Sequence, residues 1–210
     1  MKKEKKLIAL EAAVCVSLII SVLISSVSSL SGACKNIREN VLRLHIIANS
    51  DSEEDQRVKL LVRDELLNIG SELFDGTTDT KNAVSKAISE NERLTEAAQR
   101  VLSENGFDYG VKIEVGQSRF PTREYENVTL PAGEYTAVRV ILGEGQGHNW
   151  WCVMFPPMCL GAAGSSASLG DVLSSDAEEL VSSGKRYEIK FKIVEWYENI
   201  KSGIQSYIEK

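Results

Sequence analysis

The sequence predicts an α+β fold: a mixed, mainly antiparallel sheet packed with two long helices, plus a C-terminal strand and helix. Two observations carry that prediction. Residues 41–48 and 109–115 alternate apolar and polar side chains at the period of strands, whereas residues 53–74 and 79–103 repeat apolar side chains at helical spacing. These strands and helices follow one another in runs without regular alternation, which favours α+β over a parallel α/β sheet.

The first strand, residues 41–48, puts Leu42, Leu44, Ile46 and Ala48 on one face and Arg43, His45 and Ile47 on the other. Asn49-Ser50-Asp51-Ser52 ends it and opens a helix, with Ser50 and Glu53 at capping-box spacing and an acidic first turn. Val58, Leu61, Val62, Leu66, Ile69 and Leu73 mark the buried stripe, and Asp75-Gly76 stops it. The second helix, residues 79–103, carries Val84, Ala87, Ile88, Leu94, Ala98, Val101 and Leu102 and ends at Asn105-Gly106. Strands are expected at 109–115, 124–130, 135–142 and 149–155, the third of them central because it is apolar on both faces. Residues 161–175, rich in Gly, Ala and Ser, read as a flexible loop. A short helix over 176–182, a strand over 187–193 and a helix from 194 complete the chain.

The N-terminus is of another kind. Lys2, Lys3, Lys5 and Lys6 precede an apolar run over 7–24, interrupted by one charge, Glu11, and no charged residue occurs from 12 to 34. Ser31-Gly32-Ala33 offers the small residues that signal peptidase accepts, so residues 1–33 read as a signal peptide cleaved after Ala33. The uncharged stretch is also long enough to serve as a retained membrane anchor. Lipidation at Cys34 is the third reading, and Leu30 stands one place too far upstream for it. The remainder, 34–210, is one extracytoplasmic domain.

The chain carries a formal charge of −6. Without residues 1–33, which hold four lysines and two glutamates, the balance is about −8. Phosphate backbones and anionic lipids repel such a surface, which argues against nucleic-acid binding and confines membrane contact to the N-terminal segment. Cys152 and Cys159 are the two cysteines of the domain proper, and in an exported protein they read as a disulfide, with Pro156-Pro157 turning the chain between them.

No constellation assembles obvious chemistry. Gly143-x-Gly145-x-Gly147 lacks the Lys-Ser/Thr ending of a phosphate loop and precedes a strand, so it reads as an exposed loop with open backbone groups. His45, His148 and Cys152 are the candidates for a secreted hydrolase. Residues four apart on a strand lie about 13 Å apart, too far for His148 to activate Cys152. A zinc site built from both cysteines and both histidines is weak for the same want of clustering. No metal or cofactor is expected. Trp150 and Trp151 point to opposite faces of their strand, so one fills a core while the other reaches a surface.

Three stretches resemble a known family. They are Leu42-Arg43-Leu44-His45-Ile46-Ile47-Ala48-Asn49-Ser50-Asp51-Ser52-Glu53-Glu54-Asp55-Gln56, with Lys59-Leu60 and Val62-Arg63-Asp64 after it; Arg119-Phe120-Pro121-Thr122 with Leu130-Pro131-Ala132-Gly133-Glu134-Tyr135; and Gly143 through Cys159, containing Gly147-His148-Asn149-Trp150-Trp151-Cys152. In this order, after an export signal, they resemble stage II sporulation protein R. The resemblance implies a non-enzymatic signal, made in the forespore and exported to the intermembrane space. There it activates a membrane-embedded protease of the mother cell that processes pro-sigma-E. The expected receptor-facing residues are Arg43, His45, His148, Asn149, Trp150 and Trp151. The competing readings are the secreted hydrolase and a structural factor of the intermembrane space.

Overall fold

The structure is a computed structural model that describes residues 2–125, 128–158, 169–182, 192 and 194–196. Its elements run α1 (Lys2–Glu39), β1 (Leu42–Ile47), α2 (Glu53–Leu73), α3 (Thr80–Ser89), α4 (Asn91–Glu104), β2 (Val111–Phe120), β3 (Arg123–Tyr125), β4 (Val128–Leu130), β5 (Gly133–Leu142), β6 (Asn149–Phe155), α5 (Leu169–Val172) and α6 (Ser175–Ser182). The main sheet has the order β2-β5-β1-β6. β1 runs parallel to β5, while β1–β6 and β2–β5 are antiparallel. The fold is therefore α+β with a mixed, mainly antiparallel sheet, and β5 is central, as its two apolar faces require.

Each face of the sheet has its own core. Leu42, Leu44 and Ile46 of β1 join Val138 and Val140 of β5, Cys152 and Met154 of β6, and the apolar stripes of α2, α3 and α4. On the opposite face Tyr135, Ala137 and Val153 meet Phe120, Leu130, the last turns of α1 and the buried side of α6. Period-2 alternation within each strand thus sorts residues between two apolar layers.

Several boundaries differ from expectation. The helix expected over 79–103 is two helices, broken at Glu90. The stripe Ala83, Ala87 would continue at position 90 or 91, where Glu90 and Asn91 stand. Restarting the helix there lets Leu94, Ala98 and Leu102 resume the buried face. The strand expected over 124–130 is instead a small hairpin of β3 and β4, with 126–127 outside the described residues. The N-cap of α2 is Ser52, whose hydroxyl accepts from the Asp55 N–H, and not Ser50. Of the loop expected over 161–175, residues 161–168 lie outside the described residues. The remainder holds α5, and Leu173 is buried in the second core, anchored by apolar side chains that the Gly/Ala/Ser composition diluted. The expected strand over 187–193 and the terminal helix lie outside the described residues except 192 and 194–196, which are helical.

α1 changes character along its length. Val14, Val16, Leu18, Ile19, Ile20 and Val22 are 50–65% exposed, whereas Ala33, Cys34 and Ile37 are buried in the second core. Cys34, 1% exposed, has no room for a lipid on its sulfur without unpacking that core. Among the described residues no helix is long and apolar enough to cross a membrane.

Candidate functional site

Because β1 and β5 are parallel neighbours, the segments that follow them leave the sheet at the same end. This brings Asn49-Ser50-Asp51-Ser52 against the glycine-rich stretch 143–148. Hydrogen bonds lock the two together. The N–H groups of Gln146 and Gly147 donate to the carbonyls of Asn49 and Ala48 at 3.1 and 2.9 Å, and the Glu144 N–H donates to Asn49 Oδ1 at 3.0 Å. The N–H groups of Gly143 and Gly145 bond Gly110 and Leu142. The expectation of open backbone groups in this loop is thus corrected: residues 48–51 take the N–H groups of 144 and 146–148, and Gly110 and Leu142 take those of Gly143 and Gly145. The glycines are required here. Gly143 and Gly145 have φ of +55° and +62°, and a Cβ on Gly147 would run into the Ser50 carbonyl oxygen.

Asp55 lies under this junction. One carboxylate oxygen accepts from Ser50 Oγ at 2.5 Å and Asn49 Nδ2 at 2.9 Å, the other from the Tyr109 hydroxyl at 2.6 Å. Burial alone would raise the Asp55 carboxyl, but the hydrogen bonds from Ser50, Tyr109, Asn49 and Ser52 outweigh it and hold it below the ordinary carboxylate range. Tyr109 moves the other way, raised by burial and by its bond to that carboxylate. Beside it, Lys59 is buried and donates to Gln56 Oε1 at 2.5 Å and to the His148 carbonyl at 2.9 Å. Burial lowers the Lys59 ammonium, and Asp51 opposes that shift.

The expected site residues fall into three environments. His148 is exposed and contacts Asp51 through its ring Nδ1, while its backbone N–H donates to the same carboxylate at 2.6 Å. Trp150 packs on the helix side of the sheet, under the guanidinium of Arg63 at 4.5 Å. Trp151, His45 and Arg43 lie on the other side. His45 stacks on Trp151 with centroids 3.8 Å apart, and its Nε2 meets Asn149 Oδ1 at 2.7 Å. Arg43 is fully buried: its guanidinium sits 4.1 Å over Phe120 and 4.8 Å from the Tyr135 ring. It donates to the Cys152 carbonyl at 3.2 Å and the Tyr125 hydroxyl at 2.5 Å. A covering layer, not solvent, therefore meets Arg43.

The hydrolase candidates are not assembled. Cys152 is paired with Leu44 and shares its face, whereas His45 belongs to the opposite face. His148 is engaged with Asp51. Sequence reasoning missed Asp55, Lys59 and Tyr109. The Ser52-x-x-Asp55 spacing signals the cap, but no local pattern links Tyr109 to a carboxylate 54 positions earlier.

Two expectations follow. Gly147→Ala lowers stability by about 2 kcal/mol or more, because the backbone of the Asn49–Ser52 segment must move, whereas Gly116→Ala, which meets nothing within 4 Å, stays near neutral. Urea denaturation of the pair checks this; equal midpoints would contradict the locked junction. His45 is lowered by burial first, then by the charges of Arg139 and Arg43, against its bond to Asn149. With the folded value below the unfolded one, its contribution is present above about pH 6.5 and is lost as the pH falls below it. Melting temperature should therefore drop from pH 7 to pH 5 more steeply in the wild type than in His45→Gln. Parallel curves would remove His45 as the source.

The comparisons with known proteins agree with one another. A family model described as stage II sporulation protein R matches residues 38–164, a segment that contains both halves of the locked junction. Stage II sporulation protein R of Bacillus subtilis (strain 168) is 35% identical over 123 residues, which are 59% of this chain and 55% of that protein. The chain thus spans about half the length of that curated relative. No solved structure matches. A family match across well over half of the chain, on the segments that build the junction, places it: this protein belongs to the stage II sporulation protein R family.

Proposed function

We propose that this protein is an exported sporulation signal. It passes from the forespore to the intermembrane space and activates the mother-cell membrane protease that processes pro-sigma-E. Family membership carries the reading. The separation of Cys152 from His45 on opposite faces of the sheet supports recognition over catalysis. Export rests on residues 1–33, either removed as a signal peptide or retained as an anchor. The uncovered apolar side chains of α1 before residue 30, and the burial that starts at Ala33, support a domain beginning near 34.

The receptor-facing surface in this proposal is the end of the sheet where Asn149, Trp151 and His148 remain accessible. His45 and Arg43 position it from beneath, and Trp150 braces it from the helix side. Co-expression of the full chain with the protease and its pro-sigma substrate tests the proposal. Processing should require the chain and fall at least about fivefold in His148→Ala combined with Asn149→Ala, a loss of about 1 kcal/mol of recognition, with the melting temperature held. Processing without the chain, or undiminished by the double variant, would refute respectively the activator role and the chosen surface.

A Cys152–Cys159 disulfide belongs to the same proposal, because the intermembrane space lies outside the reducing cytoplasm. Cys152 is buried in the first core, and Cys159 lies outside the described residues. Alkylation of the exported, unfolded but unreduced protein should leave both sulfurs unmodified in the mass spectrum. Two alkylated thiols would end the disulfide while leaving the activator reading intact.

A further inference from the structure

The sheet face that carries Arg43 and His45 is covered by described elements over only half its length. Around Tyr135, Ala137 and Val153 it is roofed by the end of α1, by α6 and by β4. Beyond His45 the register places two more rows of residues on this face. One is Glu114, Arg139, His45 and Trp151; the next is Lys112, Ile141, Ile47 and Asn149. Apart from His45, which is buried, these rows are reached by solvent: the Lys112 side chain is 70% exposed and that of Arg139 40%. Ile47, Ile141 and Trp151 are partly exposed between them. A face with two isoleucines and a tryptophan in reach of water is unusual for a strand's polar side.

Its charge is also unusual for this chain. Among the described residues of these two rows, Lys112 and Arg139 stand against one carboxylate, Glu114, and the Arg123 guanidinium lies beside them, 5.8 Å from the Trp151 ring. Glu114 already contacts both Lys112 and Arg139. The open half-face is thus net positive on a protein of net charge −6. A basic partner segment meets three cations, and a purely polar one leaves the apolar strip wet.

We propose that this half-face docks an acidic segment of the receptor that also carries apolar side chains: carboxylates toward Lys112, Arg123 and Arg139, apolar groups onto Ile47, Ile141 and Trp151. This deepens the activator reading and rests on it. Opposite charge at the rim of such a contact raises the association rate and selects the partner, while the apolar strip supplies the buried centre.

The test uses the full chain, co-expressed with the membrane protease and its pro-sigma substrate. Lys112→Glu combined with Arg123→Glu should slow processing about tenfold at unchanged protein level, as expected for charge reversal at a steered contact. Lys112→Arg with Arg123→Lys, which keeps both charges, should process several-fold faster than the double reversal. Arg93→Glu on α4, 51% exposed and remote from this face, should process like wild type and controls for charge reversal elsewhere on the surface. If the double reversal lowers the melting temperature, Lys112→Gln with Arg123→Gln takes its place and should still slow processing with stability held. Wild-type rates in the reversal, a loss that follows stability alone, or an equal loss in Arg93→Glu would overturn the docking surface. No processing with the wild-type chain would instead overturn the activator reading beneath it.

Discussion

A buried carboxylate sets the terms for one end of this molecule. Asp55 starts α2, yet both its oxygens are committed elsewhere, to Asn49, Ser50 and Tyr109. A carboxylate out of water is tolerated only with such a set of donors. Satisfying it fixes the path of the chain as it leaves β1, and that path in turn offers Ala48 and Asn49 carbonyls to the glycine stretch after β5. The parallel β1–β5 pair brings the two segments to the same end; the Asp55 network holds them in register. Residues far apart in sequence become one rigid unit, from which His148 and Asn149 project.

The other face of the sheet poses a different electrostatic problem. Arg43 is a fully buried cation, and the described contacts to its guanidinium are two acceptor oxygens and three aromatic rings, with no carboxylate among them. Desolvation disfavours the charge. Ring faces offset part of that cost, each by about 1–2 kcal/mol where water is excluded. The arrangement works only while Phe120, Tyr135 and Tyr125 stay in place. It therefore binds β2, β5 and β3 to β1 and gives the covered half of the face a definite edge.

Much of this was legible in the sequence. Alternation placed β1 and the start of β2, and the period of a strand sent Trp150 and Trp151 to opposite sides because it leaves no other choice. The centrality of β5 followed from its composition alone. What was not legible depended on tertiary company. Arg43 and His45 read as a surface pair because most of the layer that covers them comes from β2, β3–β4, β5 and α6, all far along the chain from β1. The break at Glu90 was visible in retrospect as a gap in the stripe, but the surrounding helix formers masked it. The glycine stretch looked open because its partners, Ala48 and Asn49, lie nearly a hundred positions away. Tyr109 carried no sign of its carboxylate partner.

The division of the second face into a roofed and an open half follows from these same facts. Rows of a sheet are spaced regularly, so a roof anchored on Arg43 and Tyr135 ends within one or two rows of them. His45 stands at that border: 7% exposed, stacked on Trp151, its Nε2 held by Asn149. It is sealed from below by Phe120 and joined to the accessible loop above. Rigidity on the covered side and access on the open side meet at one imidazole. In the proposed recognition surface Trp151 and Asn149 have their geometry set before a partner arrives, because His45 stacks on one and bonds the other from behind. Little ordering is then left for binding to impose, and a modest surface suffices for a transient contact.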